Sequence, residues 1–195
     1  MIAYDLIGQT PLVLLESFSD ENVKIYAKLE QFNPGGSIKD RLGKHLIEKA
    51  IDEGRLKEGD TIVEATAGNT GIGLAIASNR HKVKCIIFAP EGFAEEKISI
   101  MKALGADVRR TPKAEGMTGA QQEALAYATR YGYLYMNQFE TKDNPGAYTQ
   151  TLAKQLTDEL SHIDYFVAGV GSGGTFTGVA PVSYTHLRAH ETVLD

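Results

Sequence analysis

The chain has 195 residues, 43% of them hydrophobic and 23% charged, an ordinary balance for a globular protein long enough to bury a substantial core. A net charge of −5 without a basic run argues against a nucleic-acid partner, and no apolar run reaches the length of a membrane span. One cysteine, Cys85, excludes an internal disulfide framework and fits a reducing cytoplasm; the N-terminus MIAYDLIGQT lacks the basic and apolar regions of a secretory signal.

In chain order, Ile7–Leu12 reads as a turn entering a short apolar run, and 23–29 (VKIYAKL) alternates as a strand. The stretch NPGGSIKDR at 33–41 packs a turn, a helix start and a lysine into nine residues. Ser37 is a good N-cap, and Ile38, Leu42, Leu46, Ile47, Ala50 and Ile51 recur at helical spacing, so a helix is expected to run to about Glu53 and stop at Gly54. Strands are expected over 60–65, 83–89, 107–110, 133–137 and 165–168, with helices over 72–78, 95–104, 119–131 and 149–160. Two glycine-rich turns, 66–71 (TAGNTG) and 169–175 (GVGSGGT), each lead into a helix. This alternation predicts an α/β fold with mainly parallel sheets, and the rhythm from Asp60 to Asn137 reads as one compact unit.

Lys39 falls in the first turn of its helix, where the dipole disfavours a cation and favours a neutral amine. A neutral amine is what a Schiff-base lysine requires; a solvated surface lysine is the plainer account of such a position. In Gly171-Ser172-Gly173-Gly174-Thr175, backbone N–H groups, a helix N-terminus and two hydroxyls suit a phosphate. Gly169, Gly171 and Gly174 also match G-x-G-x-x-G, so a dinucleotide site is the alternative, but it leaves the lysine stretch unexplained. Thr66, Ala67, Asn69 and Thr70 present N–H groups and hydroxyls suited to a carboxylate, although a plain capping turn needs no ligand. Cys85 reads as core, His45 and His81 as helix-surface residues, His162 as unpartnered, and Tyr127, Tyr131 and Tyr133 as packing.

NPGGSIKDR resembles the lysine motif of the cysteine synthase and cystathionine β-synthase family, pyridoxal phosphate (PLP) enzymes of fold type II. IGQTPLVLL, EATAGNTGIGLA and GVGSGGTFTG agree with it in order and spacing, from Leu6 to Ala180. The resemblance implies two α/β domains, the second incomplete here: 1–43 and 145–180 in the larger, 44–144 as the smaller, PLP in the cleft between them. It implies Lys39 as the catalytic and PLP-bearing lysine, Asn69 on the PLP ring oxygen, and Gly171, Ser172, Gly173, Gly174 and Thr175 on its phosphate. Thr66, Ala67, Asn69, Thr70 and Gln138 would take the substrate carboxylate, with no metal. The expected reaction is β-replacement on O-acetylserine in cysteine biosynthesis, with sulfide or a thiol as acceptor, in a cytoplasmic homodimer. Ala67, where the family's commoner loop has Ser, and Gly116–Gly119 (GMTG) resemble the O-acetylserine-using cystathionine β-synthase branch. A non-catalytic PLP-binding fragment is the other reading. Residues 181–195, opening on a proline that breaks the periodicity, depart from the family and are expected to be a non-native tail, so the i, i+4 pair His186 and His190 is set aside as a metal motif.

Overall fold

The computed structural model describes residues 2–93 and 95–183. Two short strands, β1 (Leu12–Leu14) and β2 (Tyr26–Lys28), pair antiparallel. The expected strand at 23–29 thus shrinks to its last residues, because the Asp20 carboxylate accepts the N–H groups of Asn22 and Val23 and holds them in a turn.

Helix α1 (Lys39–Asp52) follows, as the spacing predicted. Ser37 lies just outside it; its hydroxyl accepts the Lys39 N–H at 3.1 Å. The rest of NPGGSIKDR grips the N-terminal segment. Asn33 Oδ1 accepts the Gly8 N–H at 2.7 Å. The buried Arg41 guanidinium donates to the Gly8 carbonyl, to Thr10 and to both oxygens of Glu30. Two sequence motifs some 25 residues apart are therefore one structural unit.

The main sheet holds four parallel strands in the order β5-β4-β3-β6: β3 (Thr61–Ala65), β4 (Lys84–Pro90), β5 (Asp107–Thr111) and β6 (Leu134–Tyr135). The compact unit expected over 60–137 is this sheet with its crossover helices, α2 (Asn69–Arg80), α3 (Glu95–Ala103) and α4 (Gly116–Tyr131). One face packs Val63, Ala65, Ile86 and Phe88 on Ala120, Ala124 and Ala128 of α4. The other packs Ile62, Cys85 and Ile87 beneath α1 and α2. A strand buried on both faces reads as a continuous apolar run, and Cys85 is core as expected. Helices α1 and α2 cross at Gly43 and Gly73: a Cβ on either would enter the other helix's backbone. That close approach lays the carbonyl end of Lys39 against α2.

The helix expected over 149–160 is instead α5 (Gly146–Tyr148), a π turn over Thr149–Ala153, and α6 (Lys154–Glu159). Thr149 and Thr151 return hydroxyl bonds to the Pro145 and Ala147 carbonyls, which loosens the ladder there. No strand forms at 165–168; Tyr165 and Val167 face out and find no pairing partner among the described residues. Helix α7 (Gly174–Ser183) runs through Pro181 and buries Val179. The remainder of the expected tail, with His186 and His190, lies outside the described residues.

Three side chains correct their sequence reading. His45 is half-buried, with Nε2 facing Gly146 and no hydrogen-bond partner. His81 packs edge-on to Tyr4, within 3.3 Å of its hydroxyl. His162 lies 2.9 Å from Asp164. Tyr127, Tyr131 and Tyr133 do stack together, with the Arg109 guanidinium 4.2 Å from the Tyr127 ring centre. No described helix is long and apolar enough to cross a membrane.

Candidate active site

The chain runs from β3 outward to β4 and β5, then returns to place β6 on the opposite side of β3. The β3–β6 boundary is therefore the sheet's switch point, and the crevice outside the carboxyl ends of these two strands is where open α/β sheets take ligands. Thr66 follows the end of β3, and Gln138 follows the end of β6 by three residues. Asn137 between them adopts φ 48°, a left-handed turn that asparagine tolerates, and redirects the backbone toward β3. Thr70 Oγ1 then donates to Gln138 Oε1 at 2.7 Å, both residues buried. The Thr66–Thr70 turn and Gln138, separated by some 70 residues in sequence, thus form one wall.

Lys39 enters from the amino end of α1. Its Nζ is half-buried, 3.4 Å from the Tyr148 hydroxyl and 5.8 Å from that ring's centre. Among the described residues it makes no ion pair. Burial lowers its pKa from the usual lysine value, a shift toward the neutral amine. Tyr148 is buried, and desolvation pushes its phenol up to about 12 against the pull of the nearby Thr175 hydroxyl.

The second glycine-rich turn is tied to the first through Asn144. Its Nδ2 donates to the Gln138 carbonyl at 2.7 Å and to Ser172 Oγ at 3.0 Å. Gly174 is required here, because a Cβ would collide with the Asn144 amide. Taken in turn, Lys39 meets Tyr148, Tyr148 meets Thr175, and Ser172 meets Asn144, which meets Gln138 and so Thr70. These contacts join Lys39 to Tyr148 on one side and Ser172, Gln138 and Thr70 through Asn144 on the other, while Thr66 accepts the Gly68 N–H within its own turn. Ala67 is buried in the same turn, and the Asn69 oxygen accepts the Lys97 ammonium of α3.

Asn144, Tyr148, Lys97 and Glu64 have no counterpart in the sequence reading. The Asn-Pro-Gly pattern at 144–146 was the one available signal for Asn144. At the other, amino end of the strands, a surface groove of about 400 Å³ lined by Arg55, Thr61, Lys84 and Tyr133 shows no comparable convergence. Among the described residues no group of three or more His, Cys, Asp or Glu side chains could hold a metal.

The residues present fit a phosphorylated cofactor that is held through an amine. None of the N–H groups from Gly171 to Thr175 is used in a turn or loop hydrogen bond among the described residues, and they lie at the N-terminus of α7. Among the described residues the buried Asn144 Oδ1 has no hydrogen-bond partner and Lys39 no ion-pair partner.

A family model described as "Pyridoxal-phosphate dependent enzyme" matches residues 3–190. The chain is 50% identical over 193 residues to the O-acetylserine dependent cystathionine beta-synthase of Bacillus subtilis, covering 97% of this chain and 63% of that protein. It is 48% identical over 185 residues to a cysteine synthase of Helicobacter pylori, covering 90% and 59%. The crystal structure of O-acetylserine dependent cystathionine beta-synthase from Helicobacter pylori superposes with a TM-score of 0.88 at 44% identity, over 95% of this chain and 64% of that one. The chain thus spans about three-fifths of the length of these curated relatives.

Proposed function

This chain belongs to the family of pyridoxal-phosphate dependent enzymes, and on that footing we propose that it carries the lysine, the phosphate turn and the carboxylate wall of a β-replacement enzyme acting on O-acetylserine. Sulfide as acceptor gives cysteine and homocysteine gives cystathionine, with acetate released in either case. The observation that carries the reading is the convergence, at the switch point of the sheet, of Lys39 with Tyr148 and of Ser172 with Asn144, Gln138 and Thr70.

Gly171, Ser172, Gly173, Gly174 and Thr175 hold the phosphate through N–H groups and hydroxyls at a helix N-terminus. Asn69 serves the ring oxygen. Lys97 can only donate, so it engages the amide oxygen of Asn69 and leaves the NH₂ to face the ligand. Thr66, Ala67, Asn69, Thr70 and Gln138 hold the substrate carboxylate. PLP, when bound, supplies the electron sink for cleavage at the substrate's α-carbon. Lys39 Nζ takes the α-proton; burial supports this by lowering its pKa toward the neutral form. The resemblance of Ala67 and Gly116–Gly119 to the O-acetylserine-using cystathionine β-synthase branch favours homocysteine as the acceptor. The full protein is read as a homodimer in the cytoplasm, with 1–43 and 145–180 in its larger domain and 44–144 as the smaller. The lysine unit and its clamp on Gly8 favour this reading over a dinucleotide site, which leaves them without a role.

Borohydride reduction of the PLP-loaded protein should fix the cofactor on the Lys39 peptide. Lys39→Ala should abolish that label and lower turnover of O-acetylserine by about 10²–10⁴. The sulfur product, cysteine or cystathionine, then identifies the acceptor. A label on Lys44 or Lys49, or near-normal turnover of Lys39→Ala, overturns the assignment.

A further inference from the structure

Glu64 is completely buried near the end of β3, and the reading above gives it no task. Its two oxygens are used separately. Oε1 accepts the Ala65 N–H at 2.8 Å, and Oε2 accepts the Gln138 N–H at 3.0 Å. The β6 ladder runs as far as Met136, whose N–H meets the Val63 carbonyl. Two residues later Gln138 donates instead to the Glu64 side chain, across the left-handed turn at Asn137. A backbone carbonyl would satisfy that N–H without burying a charge, so a carboxylate here is costly unless the position requires it.

We propose that Glu64 is a positioning residue for the substrate carboxylate site: its carboxylate bridges the residue preceding the Thr66–Thr70 turn and the backbone of Gln138, and so sets the width of the wall across the switch point. The inference rests on the reading of that wall as the carboxylate site. Both oxygens accept N–H groups, and such bonds are stronger to the ionised form than to the protonated one. No cation faces Glu64 among the described residues. Tyr135 on β6 and Cys85 on β4 are the titratable groups that feel its charge. Desolvation brings its own titration up to about 7, against the pull of the two N–H groups. The bridge to Gln138 is therefore complete above neutrality and weakens as pH falls below it.

The first test needs no variant. In the ¹⁵N-labelled chain, the Gln138 and Ala65 amide resonances should move together between pH 5 and 9 with one midpoint near 7, and both movements should vanish in Glu64→Gln. The second test measures binding of L-alanine, an amino acid without a leaving group, to the PLP-loaded chain by calorimetry. Glu64→Gln should weaken it about tenfold, the scale of one hydrogen bond to a charged group, while PLP affinity holds. The wild type should weaken relative to Glu64→Gln as pH falls from 8 to 6. A Gln138 amide that ignores pH, or that titrates identically in Glu64→Gln, overturns the proposal. So does unchanged L-alanine affinity in Glu64→Gln alongside a loss in Gln138→Ala. If Gln138→Ala also leaves L-alanine affinity untouched, the carboxylate wall itself is misassigned, whereas the amide titration reports on Glu64 and Gln138 in either case.

Discussion

The two glycine-rich turns of the site look alike in sequence and are held in different ways. Thr66–Asn69 springs from β3, which is paired on both sides and buried along its whole length. Gly169–Gly174 follows a segment that finds no strand partner among the described residues, in which Tyr165 is 71% and Val167 91% exposed. Its position comes from side-chain tethers: Asn144 to Ser172, and Thr149 to the Gly178 carbonyl. The geometry of the first turn is a property of the sheet. The geometry of the second depends on a handful of polar contacts and on what it binds. One side of the site should therefore answer to core energetics, the other to local conformation and ligand.

The largest expected contrast is in the response to pH. Burial lifts Asp40, in α1, to about 6 and Glu64, in β3 beneath the first turn, to about 7. A carboxyl with a raised native pKa binds more protons folded than unfolded between its ordinary and its native value. Its contribution to stability is therefore full on the acid side and is lost as pH rises through that window, about 4 to 7 here. For Glu64 the loss is on the order of 3 kcal/mol. Denaturant unfolding at pH 5 and pH 8 should differ in this direction. Amide protection of β3 and β4 should fall with rising pH, while residues 165–170 stay unprotected at both. A flat or reversed response would mean that compensating groups govern the sheet's stability.

The next effect belongs to the second turn alone. Gly173 has φ +78°, a conformation costing about 1–3 kcal/mol for a branched residue, although its added Cβ would meet only Thr177 at 3.9 Å. Gly173→Val should weaken PLP binding about tenfold or more, measured by equilibrium dialysis, with little change in the unfolding midpoint. Cys85→Ser, in the buried centre of β4, should do the opposite: PLP affinity holds and stability falls by about 1–3 kcal/mol. Equal PLP affinity in Gly173→Val and the wild type would remove the phosphate assignment from this turn.

The same contrast explains what the sequence made legible. Periodicity located α1, the four parallel strands and α2 to α4 because each buries an apolar face that is continuous along its own sequence. The turns at Thr66 and Gly171 were legible because glycines and hydroxyls at a strand-to-helix turn have few other uses. Asn144 and Tyr148 were not, since their role exists only once α5 is folded beside the second turn. Glu64 was hidden inside a strand pattern, where a single polar residue reads as an outward-facing position. His45 and His81 were misjudged because helical spacing does not tell which face a neighbouring segment will cover. The strand expected at 165–168 has the right residues, but strand propensity expresses itself only against a partner, and none of the described residues supplies one.

The smallest expected effect is the sharpest test of that last point. Val63 and Val167 are both valines in stretches that read as strands, one fully buried between β4 and β6 and the other almost wholly exposed. Val63→Thr places a hydroxyl among Ala120, Ala124 and Phe88 with no listener for its proton beyond its own backbone, and should cost about 1–3 kcal/mol. Val167→Thr keeps the same shape and β-branching in contact with water, and should change stability by no more than about 0.5 kcal/mol. Because the substitution is identical, propensity cancels and the difference between the two measures burial alone. If Val167→Thr costs as much as Val63→Thr in denaturant unfolding of this chain, then 165–168 is paired and buried in solution. The second turn would then rest on a sheet as the first does, and the distinction between the two sides of the site would fail.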